Sequence, residues 1–350
     1  MRIAQIAPLA EPVPPERYGG TERVVSLLAD ELVRRGHEVT LFASGDSETD
    51  AELVAPTKRA LRGDPTVTEP LAPHISELGM AFKRAEDFDV IHNHVDYLAF
   101  PASRLSPTPT IHTLHGRLDL SQLRTVFQEF QDLALVSISE SQRAPLQDLD
   151  LRWAGTVHQG VTVEDYPFAP GPGDYLLFCG RICPEKGPDL AIEVARRAGL
   201  PLKMAAKVDT ADREYFERTI RPLLDQPGVE FLGEVDEAAK LKLLAGARAL
   251  LFPIRWPEPF GLVMIEAMAT GTPVIARRFG AVPEVVTHGE TGFIGDTVDE
   301  LVAAVYRVDT LDRAECRRMV EKRFSVSRMV DDYESLYVRL AFRSGTMRAR

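Results

Sequence analysis

Cysteine is scarce. Cys179, Cys183 and Cys316 are the only three in 350 residues, an odd and sparse set that excludes a disulfide framework and suits a reducing compartment, the cytoplasm. The spacing of the first two is wrong for a zinc knuckle and no histidine stands nearby, so all three read as small buried residues. Long apolar runs are missing too. Nothing approaches the roughly 20 residues of a membrane span, which leaves at most a peripheral membrane contact. The opening Met1-Arg2-Ile3-Ala4-Gln5-Ile6-Ala7-Pro8 meets prolines and Glu11 too soon for a signal peptide and reads as a buried strand. There is no excess of positive charge: the net charge is −11. Residues 1–168 hold 15 Lys and Arg against 25 Asp and Glu, while 169–350 hold 26 against 27. An acidic first half disfavours nucleic acid or an anionic membrane surface as partner. The fingerprint G-x-G-x-x-G is absent, so a dinucleotide-reading site is not supported.

What is present is an alternation of strand and helix. A strand at 3–8 leads through a proline-rich loop, ending at Tyr18, to Gly19-Gly20 and an amphipathic run at 21–35, with Val24, Val25, Leu27, Leu28, Leu32 and Val33 at helical spacing. A second strand at 38–43 completes a βαβ unit and implies a parallel sheet. Further strands are expected at 90–92, 110–114 and 134–137, with 49–73 as variable loop and short helix. Residues 167–174 carry three prolines and two glycines, a linker composition, and place the domain break at 168/169. Beyond it the alternation resumes: strands at 175–179, 202–206, 230–232 and 249–254, helices at 189–197, 212–224 and 237–245. The fold class is therefore α/β, two doubly wound Rossmann-like domains in series, 1–168 and 169–326. Ligands in such sheets bind at the carboxyl ends of the strands. A last helix, 327–342, has one apolar stripe, and 344–350 are expected to fray.

The most informative stretch is 250–272, LLFPIRWPEPFGLVMIEAMATGT. A buried strand, a proline-flanked loop and a helix at 262–269 follow in order, and Gly271 and Pro273 stop the helix. The first N–H groups of that helix lack partners in the chain and favour an anion. Glu258 lies in the loop before it and Glu266 about a turn and a half inside. A carboxylate set back in this way suits a vicinal diol, and the pair suits a sugar nucleotide, with its hexose hydroxyls, two phosphates and ribose in line. Two solvated helix-end residues is the plainer alternative on spacing alone.

The run Glu258-Pro-Phe-Gly-Leu-Val-Met-Ile-Glu266 resembles the E-x7-E signature of the family 4 retaining glycosyltransferases, which have the GT-B fold. Gly280-Ala-Val-Pro-Glu284 and His288-Gly-Glu-Thr-Gly292 continue the pattern. The resemblance implies two domains facing across a cleft, with the last helix crossing back to the first domain. It implies retaining, metal-independent transfer of a hexose, glucose for preference, from a UDP-sugar rather than a GDP-sugar. The donor is a substrate and no cofactor is expected. The acceptor would be a small soluble molecule, with a glycan as the wider possibility. Gly180-Arg181-Ile-Cys-Pro-Glu-Lys186-Gly187 is similar to the segment whose Arg and Lys face the donor pyrophosphate. Fixed cations there would stabilise the departing diphosphate.

The same resemblance makes His115, in Thr113-Leu114-His115-Gly116, a group near the donor sugar and the reacting centre. Catalytic candidates are thus His115, Glu258, Arg181 and Lys186. Donor-binding candidates are Gly19, Gly20, Arg181, Lys186, Glu258, Phe260, Gly261, Leu262 and Glu266. His92 and His94, at the end of another strand, are candidates for an acceptor pocket. Asp148-Leu149-Asp150 is formally a metal-binding D-x-D but sits in a polar stretch and reads as solvated surface; no metal is expected. No acidic residue besides Asp119 is expected near His115, which favours same-face attack over a covalent glycosyl-enzyme. Val157-His158-Gln159-Gly160-Val161-Thr162 departs from the family's usual Asn-Gly-Val-Asp, and Lys203-Met-Ala-Ala-Lys207 has alanines where glycines are common. A nucleotide-sugar epimerase and a non-catalytic nucleotide- or glycan-binding relative are the competing readings.

Overall fold

The computed structural model describes residues 1–344 apart from Tyr18, Gly63 and Pro65. The chain divides into two compact units, 1–160 with 326–350, and 161–325. The break falls at Gly160/Val161, ahead of the proline–glycine stretch expected to mark it. The reason is Arg317, whose guanidinium donates to the carbonyls of Val163 and Tyr166 and so ties this segment into the second unit. Of the residues expected to fray, 345–350 lie outside the described residues, as does Tyr18 at the end of the proline-rich loop.

The first unit is built on a parallel sheet of seven strands among the described residues: β1 (Arg2–Ile6), β2 (Glu38–Phe42), β3 (Glu52–Val54), β4 (Val90–Asn93), β5 (Thr110–Leu114), β6 (Ala134–Ser137) and β7 (Trp153–Thr156). Their order is β3-β2-β1-β4-β5-β6-β7. The helix Gly20–Arg34 buries Val24, Val25, Leu28, Ala29 and Leu32, a stripe that fixes which side meets the sheet. Within 49–73 the structure has an edge strand, β3, and the start of a helix, Leu71–Lys83. Three residues on an edge with a half-buried pattern leave too little periodicity to read from sequence.

The second unit has a six-stranded parallel sheet: β8 (Tyr175–Arg181), β9 (Leu202–Lys207), β10 (Val229–Gly233), β11 (Ala247–Phe252), β12 (Val274–Arg277) and β13 (Gly292–Gly295), in the order β10-β9-β8-β11-β12-β13. Leu176, Phe178, Met204, Leu251 and Ile275 from the strands close one core with Ala191, Ile192, Val194 and Ala195 of the helix Pro188–Ala198. The helix expected at 212–224 is interrupted: Phe216–Ile220 winds as a π turn just before Pro222, which has no N–H to continue the α ladder. β11 stops at Phe252 because Pro253 likewise cannot donate to a neighbouring strand. Cys183 and Cys316 are buried as expected, whereas Cys179 is only partly so.

The last helix, Val326–Ser344, packs within the first unit. Its Tyr333 and Tyr337 are buried, and Arg35 is held by Asp331 and Glu334 at 2.6 and 2.5 Å. No helix among the described residues is long and apolar enough to cross a membrane.

Candidate active site

In the second unit the carboxyl ends of β8 and β11 bring two loops together. Gly187 has φ +67°, and a Cβ there would lie 2.3 Å from the Pro253 carbonyl. Only glycine allows both that backbone and that approach. Arg255 completes the junction: its N–H donates to the Glu185 carbonyl at 2.7 Å and its guanidinium pairs with Asp189. The result places Lys186 Nζ 2.5 Å from Glu258 Oε2. The loop bearing Glu258 is supported from below by Gly280, where a Cβ would meet the Glu258 backbone at 2.3 Å, while Ala281 N–H donates to the Glu258 carbonyl at 2.9 Å. The Gly280-Ala281 motif is thus a prop for the loop bearing Glu258.

The helix Leu262–Ala269 follows, with Gly261 as its N-cap and no side chain capping it. Met264 N–H donates to the Gly261 carbonyl at 3.0 Å, and a helix start of this kind favours an anion. Glu266 is 4% exposed and Glu258 9% exposed, so neither is the solvated helix-end residue of the plainer alternative. Glu266 Oε1 accepts from Lys240 Nζ at 2.7 Å and from the Tyr166 hydroxyl at 3.5 Å. Lys240, in the helix Glu237–Gly246, carries no sequence signal: it is one of two lysines, with Lys242, in a helix without a marked apolar stripe, and only the fold brings it to Glu266.

Arg181 and Lys186 do not converge on each other's partners. Arg181, 38% exposed in its side chain, faces Asp212 at 3.4 Å and Asp209 at 3.7 Å, and Lys207 joins Asp209 at 3.4 Å. Lys207 is therefore a second cation at this strand end that sequence reasoning passed over. The Phe260 ring is buried against Phe324, at 5.9 Å between centroids. Gly261 and Leu262 stay partly exposed.

In the first unit, Gly20 is exposed at the start of its helix, but Gly19 is buried, and a Cβ on it would strike Pro15 at 2.7 Å. Its missing side chain makes room for that proline. His92 and His94 are also corrected. Both are buried, with every ring nitrogen engaged by protein: His92 with Tyr337 and Thr113 at 2.6 and 2.7 Å, His94 with His115 and Gln5 at 2.9 and 2.8 Å. They are interior groups and do not line an acceptor pocket. Burial drives His92 and His94 well below the ordinary imidazole range and takes His115 down to about 3. His115 is neutral near pH 7.

The absence of an acid beside His115 is overturned. Asp96 Oδ1 accepts from the His115 backbone N–H at 3.3 Å. Asp96 is also the one non-glycine residue with positive φ, 47°, among the described residues. Burial pushes its carboxyl up to about 6, against the hydrogen bonds from His115 and Gly116. Asp119, the expected neighbour, is bound by Arg117. Asp148 is paired with Arg124 on the surface.

The two parallel α/β units, the second carrying a buried glutamate pair beside a helix, match known glycosyltransferases of the GT-B fold. Residues 18–163 match the model of Glycosyltransferase Family 4, and residues 167–323 match that of Glycosyl transferases group 1. The chain belongs to glycosyltransferase family 4. It is 28% identical over 349 residues to a phosphatidyl-myo-inositol mannosyltransferase of Mycobacterium leprae, covering 89% of each chain. It is 27% identical to a glycogen synthase of Mycobacterium tuberculosis, covering 80% of this chain and 79% of that one. Among solved structures, AviGT4, a glycosyltransferase involved in avilamycin A biosynthesis, matches with a TM-score of 0.75 at 26% identity, covering 98% of each chain.

Proposed function

We propose that this glycosyltransferase moves a hexose from a nucleotide-sugar donor to an acceptor hydroxyl with retention of configuration and without a metal. The observation that carries the reading is the Glu258/Glu266 pair, each buried and each matched to a lysine, at the open start of the helix Leu262–Ala269. A buried carboxylate held by one cation keeps oxygen lone pairs for hydroxyls. Glu266 would take the ribose diol and Glu258 the hexose hydroxyls, with Lys186 released towards the diphosphate. Arg181 would share the growing charge on the leaving group.

In the step itself the acceptor oxygen bonds to the anomeric carbon on the face from which the phosphate oxygen departs. The acceptor's proton passes to that phosphate oxygen. His115, neutral, would hydrogen-bond the sugar rather than ionise. Asp96 is the residue on which a trapped glycosyl-enzyme would be sought, and an unmodified mass for the intact protein during turnover is the expected result.

Glucose from a UDP-sugar, passed to a small soluble acceptor, is the favoured substrate set. The match to AviGT4 supports the small acceptor. Mannose is the second donor hexose to examine, because the relatives at 28% identity are named mannosyltransferases. The test is a screen of UDP- and GDP-sugars for slow donor hydrolysis, which needs no acceptor. One donor hydrolysed, with loss of the activity in Glu258→Gln, supports the reading. Interconversion of sugar nucleotides without sugar release would make the protein an epimerase.

A further inference from the structure

The first unit contains a chain of hydrogen bonds whose direction can be worked out from one amide. Gln5 Nε2 donates to the Tyr337 hydroxyl at 3.1 Å, on the last helix. Its Oε1 therefore turns to His94 Nε2, at 2.8 Å. An amide oxygen only accepts, so His94 carries its proton on Nε2. Being neutral, it has a bare Nδ1, and the partner there is His115 Nε2 at 2.9 Å. His115 must donate. Its own Nδ1 is then an acceptor, facing the Gln159 amide nitrogen at 3.4 Å. A second branch is equally directed: Tyr337, having accepted from Gln5, gives its proton to His92 Nδ1 at 2.6 Å. His92 then donates from Nε2 to Thr113 at 2.7 Å, and Thr113 meets Tyr333 at 3.1 Å.

We propose that Tyr337, Gln5 and His94 are positioning residues that hold His115 as its Nε2–H tautomer, so that Nδ1 is offered as a hydrogen-bond acceptor to a sugar hydroxyl that displaces the Gln159 amide. A tautomer with the proton on Nδ1 would instead present a donor to the same hydroxyl. The other three members are buried (Gln5 and Tyr337 at 0% and His94 at 1% exposure), so no solvent competes for the polarity of the chain. The last helix thereby sets the hydrogen-bonding sense of His115 through two intermediaries, Gln5 and His94. The consequence for turnover rests on the reading of His115 as a sugar-contacting group; the tautomer does not.

The test is long-range proton–nitrogen correlation NMR of the full chain labelled with ¹⁵N-histidine, with His115 assigned by substitution. The wild-type protein is expected to show His94 and His115 protonated on Nε2. Gln5→Met removes the acceptor for His94, and Tyr337→Phe, a milder change, removes the anchor of the Gln5 amide. In either variant the His115 ring nitrogens should shift towards an average of the two tautomers. kcat should fall about threefold to tenfold, the worth of one neutral hydrogen bond, with donor KM unchanged. A wild-type His115 protonated on Nδ1, or a pure Nε2–H form in both variants, overturns the proposal. Normal turnover by His115→Ala would overturn the role of His115 in the reaction, and is recognised separately because the ring shifts of the wild type do not depend on it.

Discussion

Acidification should destabilise the first unit. His112 and His115 are held neutral by burial down to about pH 3, against 6.5 when free. A group whose folded pKa is depressed in this way binds a proton in the unfolded chain first. Its contribution is complete above pH 6.5 and is lost as the pH falls towards 3. Between pH 7 and 5 each of the two costs about 2 kcal/mol. Asp96 works in the opposite sense: its carboxyl is raised from 3.8 to about 6, so the folded state takes up its proton first and regains about 1 kcal/mol over the same range. His92 and His94 add to the loss, and Glu22 and Glu77, both raised by burial, act against it. For His112, His115 and Asp96 together the expected net is a loss on the order of 3 kcal/mol. The two tryptophans fall one to each unit, Trp153 and Trp256, so urea unfolding of a Trp256→Phe variant followed by fluorescence reports on the first unit. With a slope of roughly 2 kcal/mol per molar urea, the midpoint should fall by about 1.5 M between pH 7 and 5. A midpoint that is unchanged or higher at pH 5 would refute the picture of four interior neutral imidazoles.

Three further outcomes concern the donor site. Glu266→Ala should weaken nucleoside diphosphate binding roughly tenfold to a hundredfold, as expected for hydrogen bonds to a charged group; calorimetric titration checks this, and unchanged affinity would remove the ribose role. Lys186→Ala should lower turnover at saturating donor by about 10²–10³, because leaving-group charge grows towards the transition state, and normal turnover would contradict the phosphate assignment. Activity should survive EDTA and gain nothing from Mg²⁺ or Mn²⁺; loss on chelation with recovery on adding either ion would return Asp148 and Asp150 to consideration.

The strand-and-helix alternation was legible because each buried strand and each amphipathic helix announces itself over a window of residues. The helix Leu262–Ala269 was bounded to the residue by Gly261 before it and Gly271 after it. Segments whose form depends on a neighbour were not legible: β3 is a short edge strand, and the π turn at Phe216–Ile220 answers to one proline. The site divides the same way. Glu258, Glu266 and Lys186 lie in motifs with fixed spacing and were named in advance. Lys240 has no motif and Lys207 closes a segment that departs from the family pattern; they reach the site only through the packing of a helix and the end of a strand. Asp96 was missed although it lies between two named histidines and a third, since the register of β4 against β5, not distance along the chain, sets it beside His115. His92 and His94 differ from expectation because a strand-end position does not say whether a side chain faces a ligand or the interior.

The most direct test of the account is the configuration of the sugar released from an α-linked nucleotide sugar in the absence of acceptor. Proton NMR in deuterated buffer, followed from the first minutes, separates the anomeric protons before mutarotation mixes them. The account predicts that the α-anomer appears first and that the signal is lost in Glu258→Gln. A β-anomer appearing first would contradict retention, and with it the reading of the reaction.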